Sequence, residues 1–336
     1  MRAAELPAPN SELRLVERDV PAPGPGEILV KITACGMCNS EVTLVQGEYP
    51  FAKFPTVPGH EVIGTVAELG EGVTWPEVGT HVGAQFLYDS DMTCDYCVRG
   101  EQILCPGKRI TGIVTDGGYA EYAVFREGFV TPVPDGLDPV AGAPLMCAGL
   151  TAFNGLRQAG VTSGSRVAVL GAGAIGGMAV KFAVAMGARV AVLGRSHRSE
   201  ERAKELGAER FIATGQDATV PALKSWGHGA DVLLNTTPST RAATALLGGL
   251  APDGTLALLG YGPDPLELPS QLMVLNRLHV MASPSGSPHD ARDTLDFAVR
   301  HDLMPDVTAI GLDEAPATLS SMVAGDWHSG RAVIAF

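Results

Sequence analysis

Three short motifs hold residues able to grip a metal ion: Cys35-Gly36-Met37-Cys38-Asn39-Ser40-Glu41, Gly59-His60-Glu61 and Met146-Cys147-Ala148-Gly149. Two thiolates and one imidazole, from Cys38, His60 and Cys147, suit Zn²⁺ and leave a fourth tetrahedral position open. An open position separates a catalytic ion from a structural one. Taken singly, a buried cysteine is a small hydrophobe and a buried histidine a core residue. The three contexts together give the metal reading. Cys35 and Cys38 have the spacing of a redox pair, but no thioredoxin-like pattern surrounds them.

A second constellation sits between the motifs. Asp91 lies three residues ahead of Cys94-Asp95-Tyr96-Cys97, and Cys105 follows after seven more residues. Three thiolates with one carboxylate oxygen make a closed tetrahedral set, the pattern of a structural Zn²⁺. The alternative is three reduced thiols without an ion.

Gly171-Ala172-Gly173-Ala174-Ile175-Gly176 follows an apolar strand-like run and precedes a helix-like one. In that setting the glycines let backbone N–H groups approach a pyrophosphate at a helix N-terminus. The next strand ends in Leu193-Gly194-Arg195-Ser196-His197-Arg198, with no acid before Glu200. An NAD site would carry an Asp or Glu there for the ribose 2′-hydroxyl. Gly194 makes room instead, and Arg195, Ser196 and Arg198 can surround a 2′-phosphate. NADP(H) is the expected cofactor, against the alternative of a solvated basic turn.

The elements that must position these residues fall into two groups, as expected for 336 residues. Residues 1–148 carry closely spaced strand-like runs, Glu27 to Thr33, Val62 to Leu69 and Tyr119 to Val124, and read as a β-rich, barrel-like domain. Residues 149–286 alternate strand and helix: Arg166 to Leu170, Ile175 to Met186, Arg189 to Leu193, Ser199 to Leu206, then Asp231 to Leu234, Gly254 to Leu259 and His279 to Ala282. That alternation predicts an α/β domain with a doubly wound parallel sheet and right-handed crossovers. The Ser283–Pro288 stretch reads as a linker or as the return of the chain to the first domain over 287–336. A helix is expected over Ala291 to His301.

Hydrophobic content of 46% with 18% charge excludes global disorder, and a net charge of −13 argues against nucleic acid or anionic membranes as partners. The N-terminus lacks the apolar core of a signal peptide, and the uncharged apolar stretch between Arg166 and Lys181 is too short and too Gly-rich to span a bilayer. A cytoplasmic protein is expected. Clustered cysteines in that setting read as metal ligands before disulfides.

Together these motifs resemble the zinc-dependent alcohol dehydrogenases of the medium-chain dehydrogenase/reductase superfamily, over essentially the whole chain. The run from Gly59-His60-Glu61 through Gly64, Val66, Gly70, Val73 and Gly79 to Val82 is similar to that family's zinc signature, and Cys147-Ala148-Gly149-Leu150-Thr151 to its third ligand segment. The cinnamyl-alcohol-dehydrogenase-like and NADPH aldehyde reductase branch shares the basic turn. The resemblance implies a GroES-like catalytic domain beside the Rossmann domain, and two Zn²⁺ per chain. Cys38, His60 and Cys147 would then hold catalytic zinc, with Glu61 as an alternate ligand, and Asp91, Cys94, Cys97 and Cys105 the structural ion. It further implies that Ser40 passes the substrate proton, that Tyr49 and Phe86 wall the pocket, and that Arg331 meets the cofactor phosphates. The implied reaction is hydride transfer between NADP(H) and a small alcohol, aldehyde or ketone, in a homodimer or homotetramer joined through the strands after Leu275. Reduction of C=C or C=N bonds on the same fold, and a non-catalytic NADPH-binding protein, are the rival readings. Three positions depart from the family pattern: Asp91 replaces a cysteine, Glu41 replaces an aspartate, and Thr43 stands where a relay histidine is common.

Overall fold

Val167-Ala168-Val169-Leu170 is apolar on both faces, which suits a strand covered by helices on either side. In the computed structural model, which describes residues 1–336, Arg166–Leu170 is such a strand and lies fourth from one edge of a six-stranded sheet. The spatial order is Arg210–Ala213, Arg189–Gly194, Arg166–Leu170, Ala230–Asn235, Leu250–Leu258 and His279–Ala282, every neighbouring pair parallel. Numbered along this unit, the order is 3-2-1-4-5-6, the doubly wound arrangement with its switch point beside the first strand. The short Arg210–Ala213 strand has no counterpart among the sequence expectations.

The chain divides into two compact units: Met1–Cys147 with Gly286–Phe336, and Ala148–Ser285. The Ser283–Pro288 stretch is thus where the chain re-enters the first unit. In the second unit Ala168, Leu170, Ala191, Leu193, Leu233 and Leu256 form the core between sheet and helices. Each fully buried leucine there contributes roughly 1.5–3 kcal/mol.

The first unit is built on a seven-stranded sheet. Its long central strand, Glu27–Gly36, pairs antiparallel with Glu61–Leu69 along one side; on the other it pairs with Tyr122–Arg126 at its start and with Arg331–Ala335 at its end. The core gathers Ile28, Val30, Ile32, Leu44, Val62 and Ile334. The run expected from Tyr119 to Val124 is split: Tyr119 and Ala120 bond to the N-terminal strand through Ala4 and Ala3, and the ladder begins at Tyr122. No helix is long and apolar enough to cross a membrane.

Candidate active site and metal centres

Two antiparallel neighbours bring the ligand motifs together. Glu27–Gly36 ends at Gly36, opposite Glu61 at the start of the next strand, so Cys38 and His60 emerge at the same end of the sheet. Gly36 is required by this approach: a Cβ there would lie 1.9 Å from Glu61 Oε2. Cys38 caps the helix Asn39–Val45, and Cys147 ends a short 3₁₀ turn over Ala143–Met146.

The structure gathers Cys38, His60, Glu61 and Cys147, all buried, with one donor atom of each within 4.8 Å of the others. Cys38 Sγ and Cys147 Sγ are 3.8 Å apart, and His60 Nε2 is 3.3 Å from Cys147 Sγ. Two thiolates bound tetrahedrally at about 2.3 Å from one zinc ion would sit about 3.8 Å apart. The donor set therefore fits zinc in chemistry and in spacing.

The surrounding side chains fix these donors. Glu41 Oε1 lies 2.7 Å from His60 Nδ1, while its Oε2 accepts the backbone N–H of Cys38 at 2.6 Å. One carboxylate thus turns Nε2 of the imidazole toward the cluster and holds the Cys38 backbone. Arg331 is buried beside them, with Nη2 2.7 Å from Glu61 Oε1 and Nη1 donating to the Met37 carbonyl at 3.1 Å. Expected on the cofactor phosphates, Arg331 is placed by the structure in the first unit and engaged by Glu61. The edge of the Phe86 ring meets His60 at 5.2 Å, an apolar wall over the imidazole. Tyr49 is half-buried against the first unit's core, its ring 5.6 Å from Phe51.

Burial and charge set the protonation of the cluster. Burial pushes Glu61 up to about 8, against the pull of Arg331. Burial opposes the charged form of His60, but Glu41 and Cys38 outweigh it and hold the imidazole well above its usual value. The Cys147 thiol donates toward Cys38, which lowers Cys38 despite burial, with help from Arg331 and His60, and raises Cys147. These directions favour the thiolate at Cys38 and the protonated forms of His60 and Cys147 in the metal-free cluster. Zinc binding must displace both protons. Zinc uptake at pH 7 is expected to release about two protons at this cluster, so affinity falls as pH falls. Calorimetry in buffers of different ionisation enthalpy measures this; uptake without proton release contradicts it.

Ser40 Oγ lies 3.7 Å from Cys38 Sγ, beside the cluster and able to hold a proton there. Thr43 is half-buried, and its hydroxyl donates to the Asn39 carbonyl at 3.2 Å.

The second constellation also assembles. Donor atoms of Asp91, Cys94, Cys97 and Cys105 lie within 4.8 Å of one another, and Cys94 Sγ is 3.6 Å from Cys97 Sγ. Supporting contacts that the sequence did not reveal come from Ser90, whose Oγ is 3.1 Å from Cys97 Sγ, and from the Gly107 N–H, which donates to Cys105 Sγ at 3.3 Å. Backbone N–H groups of Cys94 and Thr93 hold the Asp91 carboxyl well below the usual range. This set also fits zinc, as a closed four-donor site.

In the second unit, Gly171-Ala172-Gly173 links the first strand to the helix Ala174–Ala185. Gly176 packs that helix against the loop, where a Cβ would lie 2.1 Å from the Gly171 carbonyl oxygen. At the end of the next strand, Gly194 faces the Phe211 ring, whose Cζ would be 2.6 Å from a Cβ. Glycine is demanded there by packing. Arg195 and Arg198 are exposed and carry no ion pair, whereas His197 is engaged 2.8 Å from Glu200. Ser196 is half-buried between them.

Residues 24–135 match the family profile described as the alcohol dehydrogenase GroES-like domain, and residues 174–300 that of the zinc-binding dehydrogenases. An alcohol dehydrogenase of Geobacillus stearothermophilus is 34% identical over 335 residues, covering 99% of this chain and 98% of that one. The chain belongs to the zinc-dependent alcohol dehydrogenases of the medium-chain dehydrogenase/reductase superfamily. It is also similar to the NADP-dependent alcohol dehydrogenase C 1 of Mycolicibacterium smegmatis, at 35% identity over 91% of this chain and 89% of that one. Among solved structures, a cinnamyl alcohol dehydrogenase of Sorghum bicolor matches with a TM-score of 0.90 at 30% identity, covering 99% and 97% of the two chains. As a medium-chain alcohol dehydrogenase the chain is an oxidoreductase of small molecules, with GroES-like and Rossmann-type domains.

Proposed function

We propose that this enzyme is a zinc-dependent, NADP(H)-linked alcohol dehydrogenase that works as an aldehyde or ketone reductase. The observation that carries the reading is the convergence of Cys38, His60, Glu61 and Cys147 on one zinc-sized position beside the Ser40 hydroxyl. Zinc held there would supply a Lewis acid for the carbonyl oxygen, and the reduced nicotinamide the hydride. The chain's own residues do the rest. Cys38, His60 and Cys147 are the ligands, and Glu61, paired with Arg331, stands by as the alternate one. Glu41 holds the imidazole in its ligating orientation, a role for which carboxylates commonly serve. Phe86 shields the histidine from water. Ser40, beside the cluster, would hold the proton for the product oxygen, since Thr43 has no useful pKa for that work. Asp91, Cys94, Cys97 and Cys105 hold the structural ion.

The free cations at Arg195 and Arg198 support NADP(H) over NAD(H), because a charged hydrogen bond to phosphate is worth about 1.5–3 kcal/mol. The Arg195→Ala, Arg198→Ala double variant is expected to lose about 10- to 100-fold in kcat/KM for NADPH and less than about threefold for NADH. Equal losses with both cofactors contradict the assignment. A panel of aldehydes, ketones, enals and cyclic imines tests the substrate class: reduction of C=O is expected, and reduction only of C=C or C=N overturns it.

An open edge supports a homodimer. His279–Ala282 is the outermost strand of the six-stranded sheet, and the adjacent helix Ser270–Asn276 buries no residue while exposing Val274 and Leu275 at 78% and 74%. Light scattering is expected to give about 70 kDa, twice the 34.9 kDa chain. The Leu275→Lys, Val280→Lys variant should then run as a single chain; an unchanged dimer contradicts this interface.

A further inference from the structure

The lobe holding Asp91 and its three cysteines differs from the buried cluster in two respects. Its donors reach the surface, Asp91 being exposed and Cys94 half-buried, with Cys97 and Cys105 beneath them. Its fourth donor is a carboxylate, a harder and weaker partner for zinc than a fourth thiolate. Asp91 Oδ1 already accepts the backbone N–H groups of Thr93 and Cys94, each at 2.9 Å, so Oδ2 is the oxygen left for an ion. Among the thiols, Cys94 and Cys97 are in sulfur contact at 3.6 Å. Cys105 is fully buried and tied to the Gly107 N–H.

We propose that Cys94 and Cys97 form a reversible oxidation site, closing into a disulfide as the lobe releases its metal; this rests on reading the lobe as a zinc site. The oxidant class is a peroxide. Cys94, the more accessible thiol, attacks one oxygen of hydrogen peroxide; the O–O bond breaks, Cys94 becomes a sulfenic acid and one water leaves. Cys97 Sγ then attacks the Cys94 sulfur, the S–O bond breaks and a second water leaves. Two thiols and one peroxide yield one disulfide and two waters, with two electrons passing from sulfur to oxygen. Closing the pair to a bond of about 2.05 Å removes two thiolates from the ligand set. Asp91 and Cys105 alone do not make a zinc site, so the ion departs. The Cys38–Cys147 pair is as close, at 3.8 Å, but both members are buried.

The test treats the full-length, zinc-loaded protein with hydrogen peroxide, then alkylates, digests and weighs it while a chromogenic chelator follows freed zinc. A peptide carrying Cys94 and Cys97 is expected about 2 Da lighter than its reduced form. About one zinc should leave per disulfide, and thiol reductant with added zinc should reverse both changes. Asp91→Cys is expected to slow zinc release about tenfold, and Cys94→Ser to leave Cys97 unlinked. The proposal is overturned if Cys94 and Cys97 stay reduced under peroxide that oxidises Cys38 or Cys147, or if wild-type protein links through Cys105. An unchanged rate in Asp91→Cys overturns the role given to the carboxylate. Protein whose lobe takes up no zinc contradicts the structural-zinc reading itself. Protein that holds zinc there and resists oxidation contradicts the present proposal alone.

Discussion

His60→Ala is expected to lower kcat/KM for carbonyl reduction by about 10³-fold or more, because it removes the Lewis acid and not merely one contact. Of the three ligands, His60 is the one held from both sides. Glu41 grips Nδ1 at 2.7 Å, and Nε2 lies 3.3 Å from Cys147 Sγ. Alanine leaves two thiols and the protonation-prone Glu61, a donor set with fewer nitrogen and sulfur ligands than zinc ordinarily takes. Zinc per chain should fall by about one while the other metal-binding lobe keeps its ion. Glu41→Gln makes the informative contrast. It keeps the ligand but weakens its orientation, and losses of about 10- to 100-fold are usual for such a partner. Metal analysis beside kinetics separates the two. A His60→Ala enzyme with both full zinc content and a rate within tenfold of wild type would remove His60 from the metal site.

The second large effect concerns Arg331. Its guanidinium is buried with Glu61, and a buried ion pair deprived of one partner typically costs 3–5 kcal/mol, roughly. Arg331→Leu should lower the stability of the metal-free protein by up to about that amount at alkaline pH, and by less near neutrality where Glu61 is largely protonated, read as the urea midpoint at constant slope. Glu61→Gln added to it should restore much of the loss, since no charge is then left unpaired. Burial already holds Glu61 near 8 with the arginine present. Without the arginine the carboxyl rises further, and the damage is greatest above neutrality, where the unfolded chain carries the ionised acid at no cost. The sign follows: a folded-state value above the unfolded one means stability is lost as pH rises. If the double variant is no more stable than Arg331→Leu, the cost is packing and not charge.

The two candidate metal-binding clusters were legible in the sequence because metal chemistry constrains residue type and local spacing. Cys94, Cys97 and Cys105 stand at fixed intervals, and Gly36 and Gly59 beside the ligands announce close approaches. The strands Arg166–Leu170 and His279–Ala282 were legible for a different reason, their short apolar runs between turns. Other features were hidden. Arg331 meets Glu61 only through the pairing of the last strand with Glu27–Gly36, and no local pattern encodes a contact between residues so far apart. The Arg210–Ala213 strand is short, and its apolar residues, Phe211, Ile212 and Ala213, make no periodic signal. Glu41 carries one methylene more than the aspartate it replaces. In the folded chain the same carboxylate reaches His60 and Cys38 together.

Zinc dependence is tested most directly by zinc add-back to chelated wild-type protein, with NADPH-dependent carbonyl reduction followed against metal occupancy. Negligible turnover is expected in the metal-free protein, with recovery in proportion to filling of the Cys38, His60 and Cys147 site. Full carbonyl reduction in protein shown to hold no metal would contradict zinc dependence.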